Sequence, residues 1–348
     1  MLKYYKKQYL RSLSNSVETH LQSDVPLGIF LSGGLDSSAL TALASKAVST
    51  LSTFTVGFGL KSDEFDPARR IAEHFSTNHH EVVVSFESIV KNFSDMVFYL
   101  DEPCFDPAFV STFFLSQFAK KKVKVALLGE GNDELFAGYS HYKIGSNYFS
   151  FVPEYFKRLA YGNFVSRQAF PTNDLKEILG KDAETNFSLN LASKGTFLDK
   201  MLLKELTSFL PGLQLHRVDR MTMGNSLEAR VPFLSNKMLD LSLSIPAKFK
   251  LNGFNGKFVA KKALSQLLPK ELHSQNKRIL FTPLSEMFKH GLLDVAEETL
   301  LGKETLFDGE GISKLVAKVR EKNNSHVSTR LFNLLVFEQW RKCFNIEA

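Results

Sequence analysis

The apolar positions of the first 145 residues follow two alternating patterns. Short runs that are almost entirely apolar or β-branched predict buried strands, and they occupy residues 25–31, 52–58, 81–84 and 123–128. Between these runs, apolar residues recur at the spacing of one helix face, in residues 11–23, 38–48, 67–75, 88–100 and 109–121. Because strands alternate with helices, the sequence predicts an α/β fold with a doubly wound parallel sheet.

The pattern changes near residue 150. Beyond that point strand-like runs nearly vanish and amphipathic helical segments dominate. These segments occupy residues 174–179, 196–206, 217–226, 237–244, 258–268, 284–289, 293–301, 312–322 and 328–344. The aromatic-rich residues 148–170 show neither pattern clearly. We therefore predict two regions, an α/β region at 1–150 and a mostly helical region at 151–348 that completes the functional site.

Composition narrows the class of protein. The apolar content of 44% and the charged content of 23% are typical of a globular chain. No apolar run approaches the roughly 20 residues that cross a bilayer, and the basic, aromatic start lacks the apolar core of a secretory signal, so we expect a cytoplasmic protein that does not bind a membrane. Two cysteines, Cys104 and Cys343, exclude a disulfide framework and favour free thiols. The net charge of +6 is a mild excess, which does not favour nucleic-acid binding.

The sequence SGGLDSS, at residues 32–38, separates a predicted strand from a predicted helix. Glycines allow a positive φ and leave the main chain open to a ligand, while N–H groups at a helix N-terminus attract anions. The segment lacks the lysine and the spacing of a Walker A loop. Asp36 would repel a phosphate unless a divalent cation lay between them, which indicates Mg²⁺. The alternative is a glycine turn in which Asp36 and Ser37 cap the helix.

This segment resembles the PP-loop of ATP pyrophosphatases, which split ATP between its α- and β-phosphates. Five further motifs follow in order: FTVGF, DEPCFDPAF, LLGEGNDELFAGY, DRMTMGNSLEARVPFL and NKRILFTP. Together they resemble the synthetase domain of glutamine-dependent asparagine synthetases over about residues 8–345. The resemblance implies a PP-loop, adenine-nucleotide-alpha-hydrolase-like fold. It also implies a ligase that activates a carboxylate, with L-aspartate the leading acceptor, as an acyl-adenylate with release of pyrophosphate. Ammonia then gives asparagine and AMP.

The same resemblance implies roles for individual residues. The ATP-binding positions are Phe30, Ser32, Gly33, Gly34, Asp36, Ser37, Val56, Leu128 and Gly129. The Mg²⁺ ligands are Asp36 and Asp133, and the catalytic residues are Glu130, Lys277 and Arg220. Glu130 would act in adenylate formation and take a proton from ammonia, Lys277 would contact the α-phosphate, and Arg220 would hold a carboxylate. Lys257 is a further candidate for phosphate contact, and Glu228 with Arg230 is expected to be a structural ion pair.

The chain departs from the family pattern in two places. The family usually carries an N-terminal glutaminase domain with a cysteine nucleophile, whereas this chain begins Met1-Leu2. We therefore expect free ammonia or a separate glutaminase subunit as the nitrogen source, or else a fragment or a decayed gene. After Lys277, Ile279 and Leu280 stand where the family commonly has glycine and phenylalanine, which leaves the acceptor open.

Three other functions remain open on the sequence. The first is an ATP-dependent amidotransferase subunit acting on another small carboxylate, such as a sugar acid. The second is a PP-loop RNA-modifying enzyme, although the extra cysteines or RNA-binding module usual in those proteins are not visible. The third is a non-catalytic partner that only docks a glutaminase, against which the presence of Asp36, Glu130, Asp133 and Lys277 argues.

Overall fold

The computed structural model describes residues 1–166, 172–180, 191, 194–270, 282–302, 304–321 and 325–347. At its centre lies a sheet of five parallel strands in the order β3-β2-β1-β4-β5. The strands are β1 (Leu27–Phe30), β2 (Ser52–Gly57), β3 (Asn78–Val83), β4 (Val125–Leu127) and β5 (Glu228–Arg230). This confirms the predicted doubly wound sheet. The chain builds outward from β1 to β3 and then returns to the other side of β1, which makes the β1–β4 junction the topological switch point.

One strand was missed by the hydrophobic pattern. β5 lies in the region that we predicted to be mostly helical, and it pairs with β4 from Val125↔Glu228 to Leu127↔Arg230. Its three residues include two charged ones, so it carries no apolar run for a pattern to find. The division at residue 150 stays a prediction, and the sheet draws its edge strand from beyond that position.

Helices surround the sheet, and most begin within a few residues of the predicted positions. In the first region they are α1 (Leu2–His20), α2 (Leu35–Ala44), α3 (Phe65–His74), α4 (Phe86–Tyr99), α5 (Ala108–Ala119) and α6 (Asn132–Phe136). In the second region they are α7 (Glu154–Ser166), α8 (Thr172–Leu179), α9 (Phe197–Lys204), α10 (His216–Met223), α11 (Asn236–Ser244), α12 (Ala247–Lys250), α13 (Phe258–Leu264), α14 (Leu284–Met287), α15 (Leu293–Leu300), α16 (Gly309–Glu321) and α17 (Ser325–Cys343). A π-helical segment, Glu205–Leu215, joins α9 to α10 and was not expected.

Two apolar cores lie on opposite faces of the sheet. Ile29 and Leu127 face a core shared with α1, α2, α3, α11 and α13. Ala126 and Leu128 face the other core, shared with α4, α5, α10 and α15 to α17. Adjacent residues of β4 thus pack on opposite faces, as the two-residue period of a strand requires. Among the residues that the structure describes, no helix is both long enough and apolar enough to cross a membrane.

Candidate active site

The predicted phosphate loop follows β1 at the switch point. Gly33 has a φ of +70°, and a Cβ placed on it would lie 2.6 Å from the carbonyl carbon of Pro67, so only glycine fits. The loop is shaped by its own serines, since the Ser32 and Ser37 hydroxyls lie 3.1 Å apart and the Gly34 N–H donates to Ser32 Oγ. Gly34 is the N-cap of α2 and has no side chain to cap the helix. In the described part of the chain, no side chain caps the first N–H groups of α2, and uncapped N–H groups at a helix N-terminus are the groups that an anion cradle uses.

The second acidic loop, GEGNDE, follows β4 and touches the first. Gly131 has a φ of +95°, which turns the chain into α6. A Cβ on Gly129 would lie 3.0 Å from Asp36 Cβ and 3.2 Å from the Ser37 nitrogen. Because this position has only a hydrogen, the two loops pack backbone to backbone. The carboxyl ends of β1 and β4 thus bring the predicted phosphate loop and the predicted acids to one edge of the sheet.

A buried lysine lies between the two acids that we predicted as Mg²⁺ ligands. Lys257 Nζ contacts Asp36 Oδ2 and lies 2.8 Å from Asp133 Oδ1, with only 8% of its side chain exposed. Burial opposes the ammonium charge, but Asp133 and Asp36 outweigh that effect and raise the pKa of Lys257 above its usual range. We call Lys257, Asp36, Asp133 and Asn132 the Lys257 cluster.

The backbone around Lys257 is built to aim its side chain inward. Lys257 has a φ of +52°, which is costly for a residue with a Cβ. Its N–H donates to Phe136 O at 2.9 Å, and a Cβ on Gly256 would collide with Ala137 O. A Cβ on Gly138 would lie 2.6 Å from Lys257 Cε. The close approach of two glycine-containing segments therefore makes room for the lysine between the acids.

A hydrogen-bonded chain fixes Asp36 from the side opposite the lysine. The Tyr9 hydroxyl, on α1, donates to Asn132 Oδ1 at 3.0 Å, and Asn132 Nδ2 donates to Asp36 Oδ1 at 2.5 Å. A carboxylate only accepts, so the amide of Asn132 must present its nitrogen to Asp36 and its oxygen to Tyr9. Both Tyr9 and Asn132 are fully buried, so water cannot replace either bond. Neither residue was predicted, because their contacts join positions far apart in the chain.

A second buried cation, Arg217, holds Glu130. Its NH2 group donates to Glu130 Oε1 at 3.0 Å, and its NH1 group lies 3.1 Å from Asp106 Oδ2. Burial lowers the pKa of Arg217, but the attraction of Asp106 and Glu130 outweighs burial and raises the pKa above its usual value. The sequence analysis missed this residue. In the sequence, Arg217 is one of the two arginines in HRVDR. When α10 packs, Arg217 faces inward and Arg220 stays near the surface.

Glu134 is the remaining acid of the GEGNDE loop, and it is almost completely buried. The Tyr139 hydroxyl donates to Glu134 Oε1 at 2.6 Å and accepts from Gln214 Nε2 at 2.7 Å. Oε2 of Glu134 is buried without a hydrogen-bond partner. Burial, assisted by Asp133, raises the pKa of Glu134 to about 7. The carboxyl of Glu134 therefore titrates near neutral pH, whereas the neighbouring acids Asp133 and Glu130 are paired with cations.

The predicted adenine-binding residues lie along three neighbouring strands. Phe30 ends β1, Val56 is near the end of β2, and Leu128 directly follows β4. All three pack with the same apolar cluster on the α4 and α5 face of the sheet. An apolar wall beside the predicted phosphate loop suits a flat heterocycle, and the ATP-binding role of these residues stays a prediction.

Other predicted residues lie outside this contact network or outside the described part of the chain. Arg220 pairs with Asp101 at 3.0 Å, and both side chains are about half exposed. The predicted ion pair between Glu228 and Arg230 is present, with Nε 2.6 Å from Oε1. Lys277, like Ile279 and Leu280, lies outside the described residues.

The acids present suit Mg²⁺. Asp36 and Asp133 come from different strand ends and converge on one point, which Lys257 Nζ now fills. Carboxylate oxygens are hard ligands, and Mg²⁺ in nucleotide sites is typically held by one or two carboxylates together with phosphate oxygens and water. Two converging carboxylates beside an anion cradle fit that pattern.

Comparison with known proteins places the chain in a family. A family model described as asparagine synthase matches residues 8–342. A putative glutamine-hydrolyzing asparagine synthetase of Mycobacterium tuberculosis is 31% identical over 373 residues, covering 95% of this chain and 57% of the relative. The glutamine-hydrolyzing asparagine synthetase 1 of Bacillus subtilis is 28% identical, covering 98% of this chain and 60% of the relative. The chain spans about three fifths of the length of these curated relatives. Order of motifs, sheet topology and sequence similarity agree, and the chain belongs to the asparagine synthase family.

Proposed function

We propose that the chain is an ATP-dependent amide ligase that activates a carboxylate, with L-aspartate as the leading acceptor. The carboxylate of the acceptor attacks the α-phosphate of ATP, which gives an acyl-adenylate and releases pyrophosphate. Ammonia then displaces AMP to form asparagine. The observation that carries this proposal is the contact between Gly129 and the Asp36–Ser37 backbone. That contact sets the phosphate cradle of residues 32–38 against Glu130, a carboxylate able to accept a proton.

ATP is proposed to bind at the carboxyl ends of the strands. The adenine lies against the wall of Phe30, Val56 and Leu128, and the pyrophosphate portion lies over the loop, where N–H groups and the Ser32 and Ser37 hydroxyls donate to it. Asp36 and Asp133 would hold Mg²⁺. When bound, the ion offsets the negative charge of the phosphates. Lys277 is proposed to contact the α-phosphate.

Glu130 is proposed to take the proton that the amine loses. An ammonium ion is not a nucleophile, so the proton that ammonia loses on attack needs a nearby acceptor. Arg217 fixes the carboxylate of Glu130 from behind, through a contact of 3.0 Å. Arg220, exposed beside Asp101, is proposed to hold a carboxylate of the acceptor by exchanging that partner.

The nitrogen source is proposed to be free ammonia or a separate glutaminase subunit. The names of the relatives include glutamine hydrolysis. The segment 8–342 that matches the family model is the part in which we place the ATP-dependent step.

The test is aspartate-dependent formation of AMP and pyrophosphate from Mg-ATP, with ammonium chloride or glutamine as nitrogen source. We expect AMP and asparagine with ammonium. Glu130→Gln is the matched control, because it keeps the shape and the ATP-binding loop while removing the carboxylate, and it should lower AMP formation by about 10²–10⁴-fold.

Two outcomes would change the proposal. A folded protein that binds ATP but forms no AMP with aspartate excludes that acceptor. ATP–pyrophosphate exchange would then be screened with other small carboxylates, including sugar acids. A folded protein that does not bind ATP contradicts the assignment of residues 32–38 as a phosphate cradle.

A further inference from the structure

We propose that Lys257 acts as an internal counter-ion that closes the metal site of the free protein, so that a divalent cation enters only with a nucleotide. In this state the ammonium fills the point on which Asp36 and Asp133 converge. The phosphate chain of the incoming nucleotide offers the ammonium a new anionic partner and releases both carboxylates to the cation. The proposal rests on the proposed ATP-binding function and adds the order in which the site becomes available.

The geometry leaves no room for both cations at the same point. Lys257 Nζ contacts Asp36 Oδ2 and Asp133 Oδ1, the two oxygens that face each other. The other oxygen of Asp36 accepts from Asn132 at 2.5 Å. A divalent cation that used the facing oxygens would therefore have to replace the ammonium group.

The charges point the same way. Lys257 is the cation in direct contact with both carboxylates, Lys261 acts on the same two acids from farther away, and these carboxylate side chains are at most 17% exposed. A divalent cation approaching while Lys257 remains would meet a like charge in a poorly solvated place. Without Lys257, the two acids would present a charge of −2 to the cation. The lysine thus opposes metal binding both by occupying the place and by its charge.

The attachment of Lys257 explains why it would exchange partners rather than leave. Its backbone is held by the bond from its N–H to Phe136 O and by the packing of Gly256 on Ala137. Only the flexible four-carbon stem can swing. The predicted phosphate loop of residues 32–38 contains Asp36, which is itself a partner of Lys257. A phosphate there would lie within reach of the same lysine.

The test measures binding of Mn²⁺ to the nucleotide-free, full-length chain by the loss of the free-ion electron paramagnetic resonance signal. The variants are Lys257→Met, which removes the charge and the donor, and Lys257→Gln, which keeps a donor and guards against misfolding. Lys262→Gln is the matched control, because Lys262 has an exposed side chain on α13, the helix that directly follows Lys257. We expect at least tenfold tighter Mn²⁺ binding in both Lys257 variants and no change in the control.

A double variant locates the ion. Adding Asp133→Asn to Lys257→Gln should abolish the gain, because one of the two carboxylates is then lost. The proposal is overturned if the wild-type chain binds Mn²⁺ as tightly as the Lys257 variants, or if the gain survives Asp133→Asn. Binding of a fluorescent ATP analogue in the presence of Mg²⁺ is measured alongside. Its absence would contradict the ATP-binding function, while the Mn²⁺ series would still decide whether Lys257 excludes the ion.

Discussion

Two clusters of buried acids lie near each other in the molecule and differ in how their charge is met. In the Lys257 cluster, Asp36 and Asp133 share the ammonium group of Lys257. In the Glu205 cluster, one carboxylate accepts from three donors, with His141 Nε2 at 2.7 Å, Tyr161 OH at 2.9 Å and Tyr142 OH at 3.1 Å. The ring of Tyr139, whose hydroxyl binds Glu134, stacks on His141 and so connects the two regions.

This difference indicates a structural role for Glu205, whereas Asp36 and Asp133 are the acids that we propose to bind a ligand. Glu205 begins the π-helical segment and ties it to α7 and to the turn that contains Tyr142, with its oxygens satisfied by the protein. A satisfied buried acid stabilises one arrangement of the chain. In the Lys257 cluster, by contrast, two carboxylates share one lysine beside the glycine-rich loop of residues 32–38, and the ammonium group can be exchanged for another cation.

The largest expected effect is the loss of activity when a carboxylate is removed from the Lys257 cluster. Asp36→Asn should lower AMP formation by about 10²–10³-fold, because a proposed ligand of the phosphate-bound cation is lost. The melting temperature should stay the same or rise, since the variant removes one of two like charges while Asp133 still pairs with Lys257. Steady-state AMP assays and thermal melts check both. Asp66→Asn, at an exposed acid of α3, is the control. Activity of Asp36→Asn near the wild-type value would contradict the site.

The opposite result is expected for the structural acid. Glu205→Gln should lower the free energy of unfolding by about 2–4 kcal/mol, because an amide cannot accept from three donors that converge on its two terminal atoms. AMP formation per folded molecule should not change. Urea unfolding and activity at low temperature measure the two quantities. Glu297→Gln, which breaks a solvent-accessible pair with Arg320, should cost less than about 1 kcal/mol. A selective loss of activity in Glu205→Gln would erase the distinction between the clusters.

Glu134 leads to a prediction about how the stability of the chain depends on pH. Its pKa is raised from 4.5 to about 7, so the folded chain keeps a proton that the unfolded chain releases. The folded state binds more protons between these values, and stability must therefore fall as the pH rises from about 4.5 to 7. We expect this group to contribute a fall of about 3 kcal/mol across that range. Urea unfolding of the metal-free chain from pH 5 to 8 should show a flatter profile in Glu134→Gln, and parallel profiles would contradict the assignment.

The smallest effect concerns the arginine behind Glu130. Arg217→Lys should lower the kcat for AMP formation about tenfold with little change in the KM for ATP, because lysine lacks the fork that reaches Asp106 and Glu130 together. Arg69→Lys, at an exposed pair with Glu81, is the matched control. A rise in the KM for ATP without a fall in kcat would show that Arg217 serves nucleotide binding rather than the position of Glu130.

Local patterns were enough for much of the fold. β1, β2 and β4 are short apolar runs, and the glycines of SGGLDSS mark the turn after β1, so the sequence predicts both. β5 could not be found in this way, because Glu228 and Arg230 occupy it and its strand character comes from pairing with β4. The arginine on α10 that faces inward was also hidden, since Arg217 and Arg220 look alike until the helix is packed.

The linear order of residues therefore determined the strand–helix alternation, the glycine-rich loop after β1 and the family, because each depends on neighbours in the chain. The position of Lys257 between two acids was decided by the tertiary structure. That position needs Asp36, Asp133 and Lys257 to meet across 221 residues, with two glycines allowing the backbones to touch. Contacts over such separations leave no periodic trace in a sequence, since they depend on how the packed cores bring distant segments together.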